Sequence, residues 1–384
     1  MKLKRNKEID KIICDFVTKS YQLNNLHFSK INFNSRYEHA DLYGILKDKD
    51  LIDFVLVNIS RCRIFRKRTN LAAVGYVCSE KIDDNLKNVF KEVFTDLHKA
   101  DIPIANLNSK NNKFYSSIGF ENTVFQKEFK FNSEYLETYA NDQGNTKVGS
   151  WDDLIIQNGA VQLYEVPMHS DDERNTLNRA YWWWNMLDKA YQNMKLAVYF
   201  GRVGLPVSYM LFKENEEKSE VDILEMYAQK AEGLHGIMNF VKKAFPAAQI
   251  TIKMPEVSHL EHLISLQNQV NITLKPTTMS RIIDVKSVLE AIKLKEDGSF
   301  VLNVTDDALC PWNIGCWKVI QEDGKMTVKK TEDQPDFTAD INSWTKVLIG
   351  NLPLNQAIKF GTVKQNNKNN VIIEKGKVTF LDNY

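Results

Sequence analysis

The chain has 384 residues and a mass of 44.4 kDa, which predicts roughly two to four domains at the usual domain size. Lysine and arginine number 50 and aspartate and glutamate 49, so the formal net charge is only +1. This balance excludes a molecule drawn as a whole to nucleic acid or to an anionic membrane, and we expect neither as a partner. Hydrophobic residues at 43% and charged residues at 26% are typical of a globular protein.

The first ten residues are crowded with charge, and the apolar stretch that follows them is interrupted at Asp15, which does not fit a signal peptide. No apolar run approaches the ~18 residues of a membrane helix. We therefore expect a cytoplasmic protein. Five cysteines are expected to be reduced thiols, because the closest pair, Cys310 and Cys316, lacks zinc-site spacing.

Two polar breaks divide the sequence. Residues 141–150 are rich in glycine and asparagine and are typical of a linker, and residues 276–278 form a second break before an apolar helical pattern. These breaks predict three domains, at residues 1–140, 141–280 and 281–384.

The first domain contains a strand–helix–strand pattern. Residues 71–78 are typical of a buried strand, and residues 102–107 of a short second one. Between them an apolar stripe predicts a helix that begins at Asp83, Asp84 and Asn85; the stripe comprises Leu86, Phe90, Val93, Phe94 and Leu97. Such a unit has parallel strands, and a ligand is expected at the strand ends that face the helix N-terminus.

The rest of the chain continues with mixed elements. In the middle region we expect strands at 196–200, 207–212 and 222–227 and a helix through Leu234 and Val241. In the last region we expect strands at 300–304, 316–320, 326–330 and 371–373, with helices at 285–292 and 341–349. The predicted fold class is α/β in the first two domains and α+β in the third.

Familiar catalytic motifs are missing from the sequence. It has no G-x-S-x-G elbow, P-loop, G-x-G-x-x-G or H-E-x-x-H, which argues against serine hydrolases, P-loop NTPases, dinucleotide enzymes and zinc proteases. The seven histidines are scattered, and no metal site is expected.

The string Phe-Tyr-Ser-Ser-Ile-Gly-Phe at residues 114–120 follows the second predicted strand. Tyr115 could protonate a leaving group there, and Gly119 permits a tight reversal. By itself this string is typical of a packed helix end. Together with the preceding strand, helix and strand, however, it resembles the core of a GNAT acyl-CoA N-acyltransferase.

The resemblance extends to the three-domain enhanced-intracellular-survival (Eis) acetyltransferases. Arg179 with Trp182-Trp183, Gly204-x-Pro206-x-x-Tyr209 and Glu225 resemble that family's second, catalytically silent GNAT-like domain. Residues 279–285, Val304-Thr-Asp306, Pro311-Trp-Asn313-x-Gly315-x-Trp317 and Gln334-Pro-Asp336 resemble the entry to, and the body of, its sterol-carrier-like third domain. The resemblance implies tandem GNAT-like mixed-sheet domains followed by a sterol-carrier-like α+β domain.

The resemblance also implies an activity, the transfer of an acetyl group from acetyl-CoA to a primary amine. It implies that backbone at Gly75, Tyr76 and Val77 holds the cofactor, with Lys110 and Asn111 also in the cofactor site. It assigns proton donation to Tyr115 and makes the C-terminal carboxylate, here that of Tyr384, the general base. Family members form hexamers, so a homo-oligomer is expected.

The loop before the first helix departs from the family pattern, which is Pro-x-x-Arg-x-x-Gly. Residues 79–85 read Ser-Glu-Lys-Ile-Asp-Asp-Asn. Asp83 and Asp84 suit a helix N-terminus but repel a pyrophosphate at that place, where Asn85 also replaces the family's glycine. The alternative function is therefore a catalytically silent GNAT-derived binding or scaffold protein.

The sequence leaves the roles of two residue clusters undecided. The basic run of Arg61, Arg63, Arg66, Lys67 and Arg68 fits a solvated strand edge, a contact to an anionic cofactor or, with less support, a nucleic-acid contact. The three tryptophans at 182–184 cannot share one helix face, so part of this run is expected at a domain interface.

Overall fold

The computed structural model describes residues 1–109, 111–140, 143–264, 270–382 and 384, and at Asn25 the backbone alone. The N-terminal part begins with two helices that precede a meander of strands. Its elements are α1 (Lys7–Tyr21), α2 (His27–Glu38), β1 (Ala40–Lys47), β2 (Asp50–Ile64), β3 (Lys67–Ser79), α3 (Asp84–Lys99), β4 (Ile104–Leu107), α4 (Asn112–Ser117) and β5 (Glu121–Asn132).

The middle part repeats the alternation of strands and helices. Its elements are β6 (Asn145–Gly149), α5 (Leu154–Glu165), β7 (Arg174–Asn178), α6 (Tyr181–Ala190), β8 (Lys195–Phe200), β9 (Pro206–Asn215), β10 (Glu220–Ala228), α7 (Ala231–Ala244), β11 (Gln249–Pro255), α8 (Leu260–Leu263) and β12 (Asn271–Ile282). The predicted linker at 141–150 is thus wrong over β6, which pairs antiparallel with β8 along five residue pairs, from Asn145 opposite Phe200 to Gly149 opposite Leu196.

The last part has its own small sheet. Its elements are α9 (Val285–Leu289), β13 (Gly298–Val304), β14 (Gly315–Glu322), β15 (Lys325–Thr331), β16 (Phe337–Ala339), α10 (Ile341–Leu348), α11 (Leu354–Lys359) and β17 (Lys364–Gln365). The strands lie in the order β15-β14-β13-β16-β17. The strand expected at 371–373 does not form; Ile373 makes only an isolated bridge to Leu294.

The first two parts share one sheet by exchanging strands. Over the described residues it runs β1-β2-β3-β4-β12-β5-β11-β10-β9-β8-β6, with β7 paired to β2. Strand β12, from the end of the middle part, lies antiparallel between β4 and β5, while β5 pairs with β11. The break expected at 276–278 therefore lies inside a strand. Its polar residues form backbone pairs that a sequence pattern does not reveal.

Helix α3 forms as its sequence predicts. The Asp83 carboxylate caps it by accepting the amide of Asn85 at 2.8 Å, and its apolar stripe is buried against the sheet. Strands β3 and β4 on either side of it are parallel, from Leu71 opposite Ile104 to Ala73 opposite Asn106. This strand–helix–strand unit positions the candidate site.

The third part is attached through a buried ion pair. Arg281 of β12 donates to Asp307, and the side chains of both residues are about 1% exposed. Asp307 also accepts the backbone amide of Cys310 at 3.0 Å and the side-chain amide of Asn313 at 2.9 Å. Removing one partner from such a pair leaves an uncompensated buried charge, so this contact fixes the third part on the shared sheet.

After β17 the chain leaves the third part and returns to the middle part. Lys375 still bonds within the third part, where it donates to the carbonyl of Val347 at 3.0 Å and to that of Leu352. Lys377 then forms a parallel bridge with Glu173 of the middle part. Phe380 stacks on Tyr164 with ring centroids 4.2 Å apart. Residues 378–382 form no strand, and this segment leaves the third part.

The buried amine of Lys375 makes stability depend on pH. Burial and the nearby charge of Arg174 lower the pKa of Lys375 to about 7, against about 10.4 in an unfolded chain. Between these values the unfolded state binds the extra proton, so this residue makes the free energy of unfolding rise with pH. We predict that urea unfolding of Lys375→Met shows a smaller rise than wild type between pH 7.5 and 9.5. An equal rise in both proteins would show that Lys375 does not titrate on unfolding.

Candidate active site

A cleft opens where β3 and β4 diverge. The two strands are paired only from Leu71 to Ala73 on β3, and the rest of β3 continues away from β4. Ligands in open α/β sheets bind at the carboxyl ends of parallel strands, which is where this divergence lies. The cleft has a volume of about 180 Å³.

The floor of the cleft is an irregular stretch of β3. Pairing with β2 passes from Leu56 opposite Gly75 to Phe54 opposite Cys78, which leaves an extra residue on β3. Tyr76 has a φ of 49°, in the left-handed region that is unusual for a tyrosine. Such a bulge turns backbone groups away from the ladder and toward a site.

A buried arginine packs so closely against Gly75 that no side chain fits at this position. A Cβ at this position would lie 2.5 Å from Nη1 of Arg36. The Arg36 side chain is fully buried and donates from Nε to Asn58 at 2.9 Å and from Nη2 to the carbonyl of Ala73 at 2.8 Å. Its Nη1 has no hydrogen-bond partner within the described part of the chain. Burial lowers the pKa of Arg36 to about 10, so the guanidinium places a positive charge under the floor at neutral pH.

Tyr115 lies in the wall of the same cleft. It belongs to α4, whose N-cap Asn111 accepts the amide of Phe114, and Gly119 ends this turn with a φ of 90°. The Tyr115 ring packs in edge-to-face contact with Phe90 and Phe120. Burial raises the pKa of the phenol well above its usual value, while a hydrogen bond with Ser109 opposes the shift. The phenol is therefore protonated at neutral pH.

Tyr384 reaches this cleft from the other end of the sequence. Its backbone amide donates to the side-chain oxygen of Asn108 at 2.9 Å, and the side-chain amide of Asn106 donates to its hydroxyl at 3.2 Å. Burial raises the pKa of its phenol, and its ring lies near Trp183 with centroids 6.5 Å apart. Gly75, Tyr76, Val77, Tyr115 and Tyr384 thus line one cavity.

A buried ion cluster holds the segment that leads to Tyr384. Arg179 donates from Nε to Asp382 at 2.8 Å and from its two terminal nitrogens to Glu225 at 3.0 and 2.6 Å. The Tyr209 hydroxyl donates to Glu225 at 2.7 Å. Arg179, Tyr209 and Glu225, three residues that carry the family resemblance, therefore contact one another. The C-terminal segment contributes Asp382 to the same cluster.

Other expected cofactor residues lie elsewhere. Asp83, Asp84 and Asn85 are exposed at the start of α3 and do not line the cleft; Asp84 pairs instead with Lys87 at 3.2 Å. Asn111 is exposed as the cap of α4. Lys110 lies outside the described residues.

The N-terminal helices contribute cleft residues that sequence reasoning missed. Tyr21 ends α1 and donates to the carbonyl of Val77 at 3.2 Å, and Asn32 of α2 accepts the Tyr76 hydroxyl at 2.7 Å. Phe28 and Ser29 complete this side of the cavity. No motif marks these residues, because their position depends on how the two helices dock on β3.

The basic run at residues 61–68 lies at the opposite end of β3. Arg61, Arg66 and Arg68 are exposed, whereas Arg63 is buried and donates to Asp171 at 2.5 Å. Of the three tryptophans, Trp183 and Trp184 are buried and Trp182 stacks on His39. Among the described residues no group of three His, Cys, Asp or Glu could hold a metal, and no described helix is long and apolar enough to cross a membrane.

Two protein families match the middle and the last parts of this chain. Residues 176–282 match the acetyltransferase (GNAT) domain family, and residues 285–376 match the sterol carrier protein domain family. Over 104 residues, 27% of this chain, the sequence is 27% identical to an uncharacterized N-acetyltransferase of Streptomyces avermitilis, and this stretch spans only 25% of that relative.

Solved structures match almost the whole chain. A conserved protein of unknown function from Enterococcus faecalis, a probable N-acyltransferase, has a TM-score of 0.87 at 20% identity and covers 99% of this chain and 98% of its own. Eis1 from Mycobacterium abscessus has a TM-score of 0.74 at 16% identity and covers 89% of this chain and 90% of its own. At these identities the structures establish the fold.

The chain therefore contains an acetyltransferase (GNAT) domain followed by a C-terminal sterol carrier protein domain. Its overall architecture is Eis-like. The fold class and the resemblance predicted from sequence are confirmed.

The cleft floor and the nearby helix terminus differ in charge. Beneath the bulged backbone of β3 lies the buried guanidinium of Arg36, whose Nη1 has no hydrogen-bond partner among the described residues. Outside the cleft, at the N-terminus of α3, the carboxylate of Asp83 accepts the amide of Asn85, and burial with nearby Asp83 and Glu80 raises the pKa of Asp53. Acidic side chains thus stand at a helix terminus, a place that otherwise favours anions.

We predict that removing these charges tightens acetyl-CoA binding. Asp83→Asn with Asp84→Asn keeps a capping side chain and removes two repulsive charges, each worth on the order of 1 kcal/mol near a phosphate. Asp83→Arg with Asn85→Gly should tighten binding further. Calorimetric titration of acetyl-CoA at low salt measures this, with Glu216→Gln plus Glu217→Gln as the matched control. Equal affinity in all four proteins would remove the electrostatic argument.

Proposed function

We propose that this chain is an N-acetyltransferase that moves an acetyl group from acetyl-CoA to a primary amine. One observation carries the proposal. The protonated buried phenol of Tyr115, Tyr384 and the bulged strand β3 line one cleft at the carboxyl ends of β3 and β4. Small-molecule or peptide amines are the proposed acceptors. A cytoplasmic location and a homo-oligomer, a hexamer as in the family, are part of the same proposal.

The floor of the cleft is proposed to polarise the acyl carbonyl. Acetyl-CoA, when bound, supplies an activated thioester. The backbone from Gly75 to Val77 leaves the regular ladder at its bulge and can present amide donors to the thioester oxygen. Arg36, 2.5 Å from where a Gly75 Cβ would stand, adds positive charge beneath the same oxygen.

In the proposed reaction Tyr384 accepts one proton and Tyr115 donates one. The amine loses a proton to the α-carboxylate of Tyr384 as its nitrogen bonds to the acyl carbon. The C–S bond then breaks, and the Tyr115 hydroxyl gives its proton to the departing sulfur. The raised pKa of Tyr115 keeps that proton available at neutral pH. An α-carboxylate, with an ordinary pKa of about 3.3–3.7, is ionised there and able to accept.

A second function, a catalytically silent binding or scaffold protein, rests on the N-terminus of α3. Asp83 fills the helix terminus at which GNAT proteins of the family place their pyrophosphate loop. Thermal stabilisation by acetyl-CoA distinguishes the two functions, since a ligand that binds only the folded state raises the melting temperature. No shift at millimolar acetyl-CoA would favour the silent protein.

We predict that Tyr115→Phe lowers kcat about 10²-fold or more with little change in melting temperature. The phenol ring packing is retained and only the proton donor is lost. Steady-state kinetics with polyamine, lysine-peptide and aminoglycoside acceptors measure the effect. Tyr43→Phe, which removes a hydroxyl that donates to Asp96 outside the cleft, is the matched control. Unchanged turnover with lowered stability would make Tyr115 a packing residue.

We predict that a few residues added after Tyr384 abolish acetyl transfer. The extension moves the α-carboxylate away from the acyl carbon without changing a side chain, and Asp382 keeps its bond to Arg179. The same tag at the N-terminus is the control, and circular dichroism with size-exclusion chromatography checks fold and assembly. Full activity in the C-terminally extended protein would assign deprotonation to water or to another side chain.

A further inference from the structure

The middle part contains a second cleft in the equivalent position. Strands β10 and β11 are parallel, but they pair only from Glu220–Ile223 with 249–252 and then diverge, with α7 between them in sequence. A cavity of about 420 Å³ lies at this divergence. This is more than twice the volume of the cleft at Tyr115 and within the range of small-molecule sites, roughly 300–1,000 Å³.

The wall of the second cleft is mostly apolar. Met226 and Tyr227 from β10, Leu234 from α7 and Met254 from β11 face it, and Leu260 and Val378 close it. Apolar side chains gain dispersion contacts when a hydrocarbon chain packs against them. The wall chemistry therefore favours an alkyl or acyl chain over a polar ligand.

The charges at the second cleft are of one sign. Lys230 and Lys377 line it, as does His235, and none of the described lining residues is acidic. Lys230 pairs with Glu232 at 2.9 Å and Lys377 with Asp172 at 4.0 Å. Both lysines and Asp172 are exposed and Glu232 is half-buried, and ion pairs at such solvated positions contribute little. Charge complementarity therefore favours an anionic head at the mouth.

One hydroxyl at this cleft lacks a partner among the described residues, and the helix beside it has no side-chain cap. The hydroxyl of Ser258, a lining residue, is buried without a hydrogen-bond partner among the described residues. Helix α7 begins at an N-cap, Lys230, that makes no side-chain capping bond, whereas Asp83 caps α3 in the first cleft. A carboxylate or phosphate at the mouth could accept from these groups.

We propose that this second cleft binds an acyl chain that carries an anionic head, with the chain among the apolar walls and the head near Lys230 and Lys377. The occupant would also contact Val378 and Thr379 of the segment that leads to Tyr384. The head can be a free carboxylate or the phosphates of an acyl-CoA. The proposal does not depend on acetyl transfer.

Calorimetric titration of the full chain with decanoate tests the proposal. We expect binding that weakens about tenfold with octanoate, because two buried methylenes are lost, and several-fold with decanol, which lacks the charge. Ala228→Phe fills the cavity from β10, and Leu263→Asp introduces repulsion at an exposed lining position; each should abolish binding, with circular dichroism confirming the fold. Absence of decanoate binding by the wild type, or wild-type affinity retained in both variants, would overturn the proposal.

Lysine variants and a second probe locate the head and its source. Lys230→Gln with Lys377→Gln should weaken decanoate several-fold, while Lys218→Gln with Lys243→Gln, at exposed positions outside the cleft, should not. Decanoyl-CoA that binds wild type more tightly than decanoate and loses affinity in Ala228→Phe would identify the acyl-CoA as the source; equal affinities would identify the free acid. Decanoate affinity unaffected by the Lys230/Lys377 pair would contradict the proposed head position.

Discussion

Arg179 is the residue on which the placement of the C-terminal segment depends. It carries one positive charge against two carboxylates, Glu225 and Asp382, in an interior where the side chains of Arg179 and Asp382 are each about 2% exposed. Its guanidinium lies 4.7 Å from the ring centres of both Tyr164 and Trp184. Loss of one partner from such a cluster typically costs several kcal/mol, because the remaining charges stay buried. This cost ties residues 378–382 to the middle part and so delivers Tyr384 to the cleft at Tyr115.

Strand exchange makes the two GNAT-like units one body. Because β12 pairs with both β4 and β5, neither sheet is complete without a strand from the other unit. The same strand carries Arg281, whose pair with Asp307 holds the sterol carrier domain. One element therefore fixes the geometry of the first cleft and the position of the third domain.

Sequence patterns predicted the elements whose formation depends on residues close together in the chain. The cap at Asp83 and the stripe on α3 specify that helix by themselves, and the parallel strands around it follow from crossover geometry. Strand β6, the pairing of β12 and the path of the C-terminal segment depend on partners far away in sequence, which a single-sequence pattern does not contain. Tyr115 could be singled out from its own string of residues and Gly75 through the family resemblance, whereas Arg36, Tyr21 and Asn32 could not, since their positions follow from helix docking.

The two clefts have the same topology but opposite electrostatics. At the first, an aspartate caps the helix, and Asp84 adds a second charge beside it. At the second, a lysine occupies the N-cap and the cavity is larger. The second helix thus carries a lysine where the first carries an aspartate, while Tyr115 and Tyr384 both line the first cleft. The two clefts are also linked along the chain, because Val378 lines the second cleft and Tyr384, six residues later, lines the first.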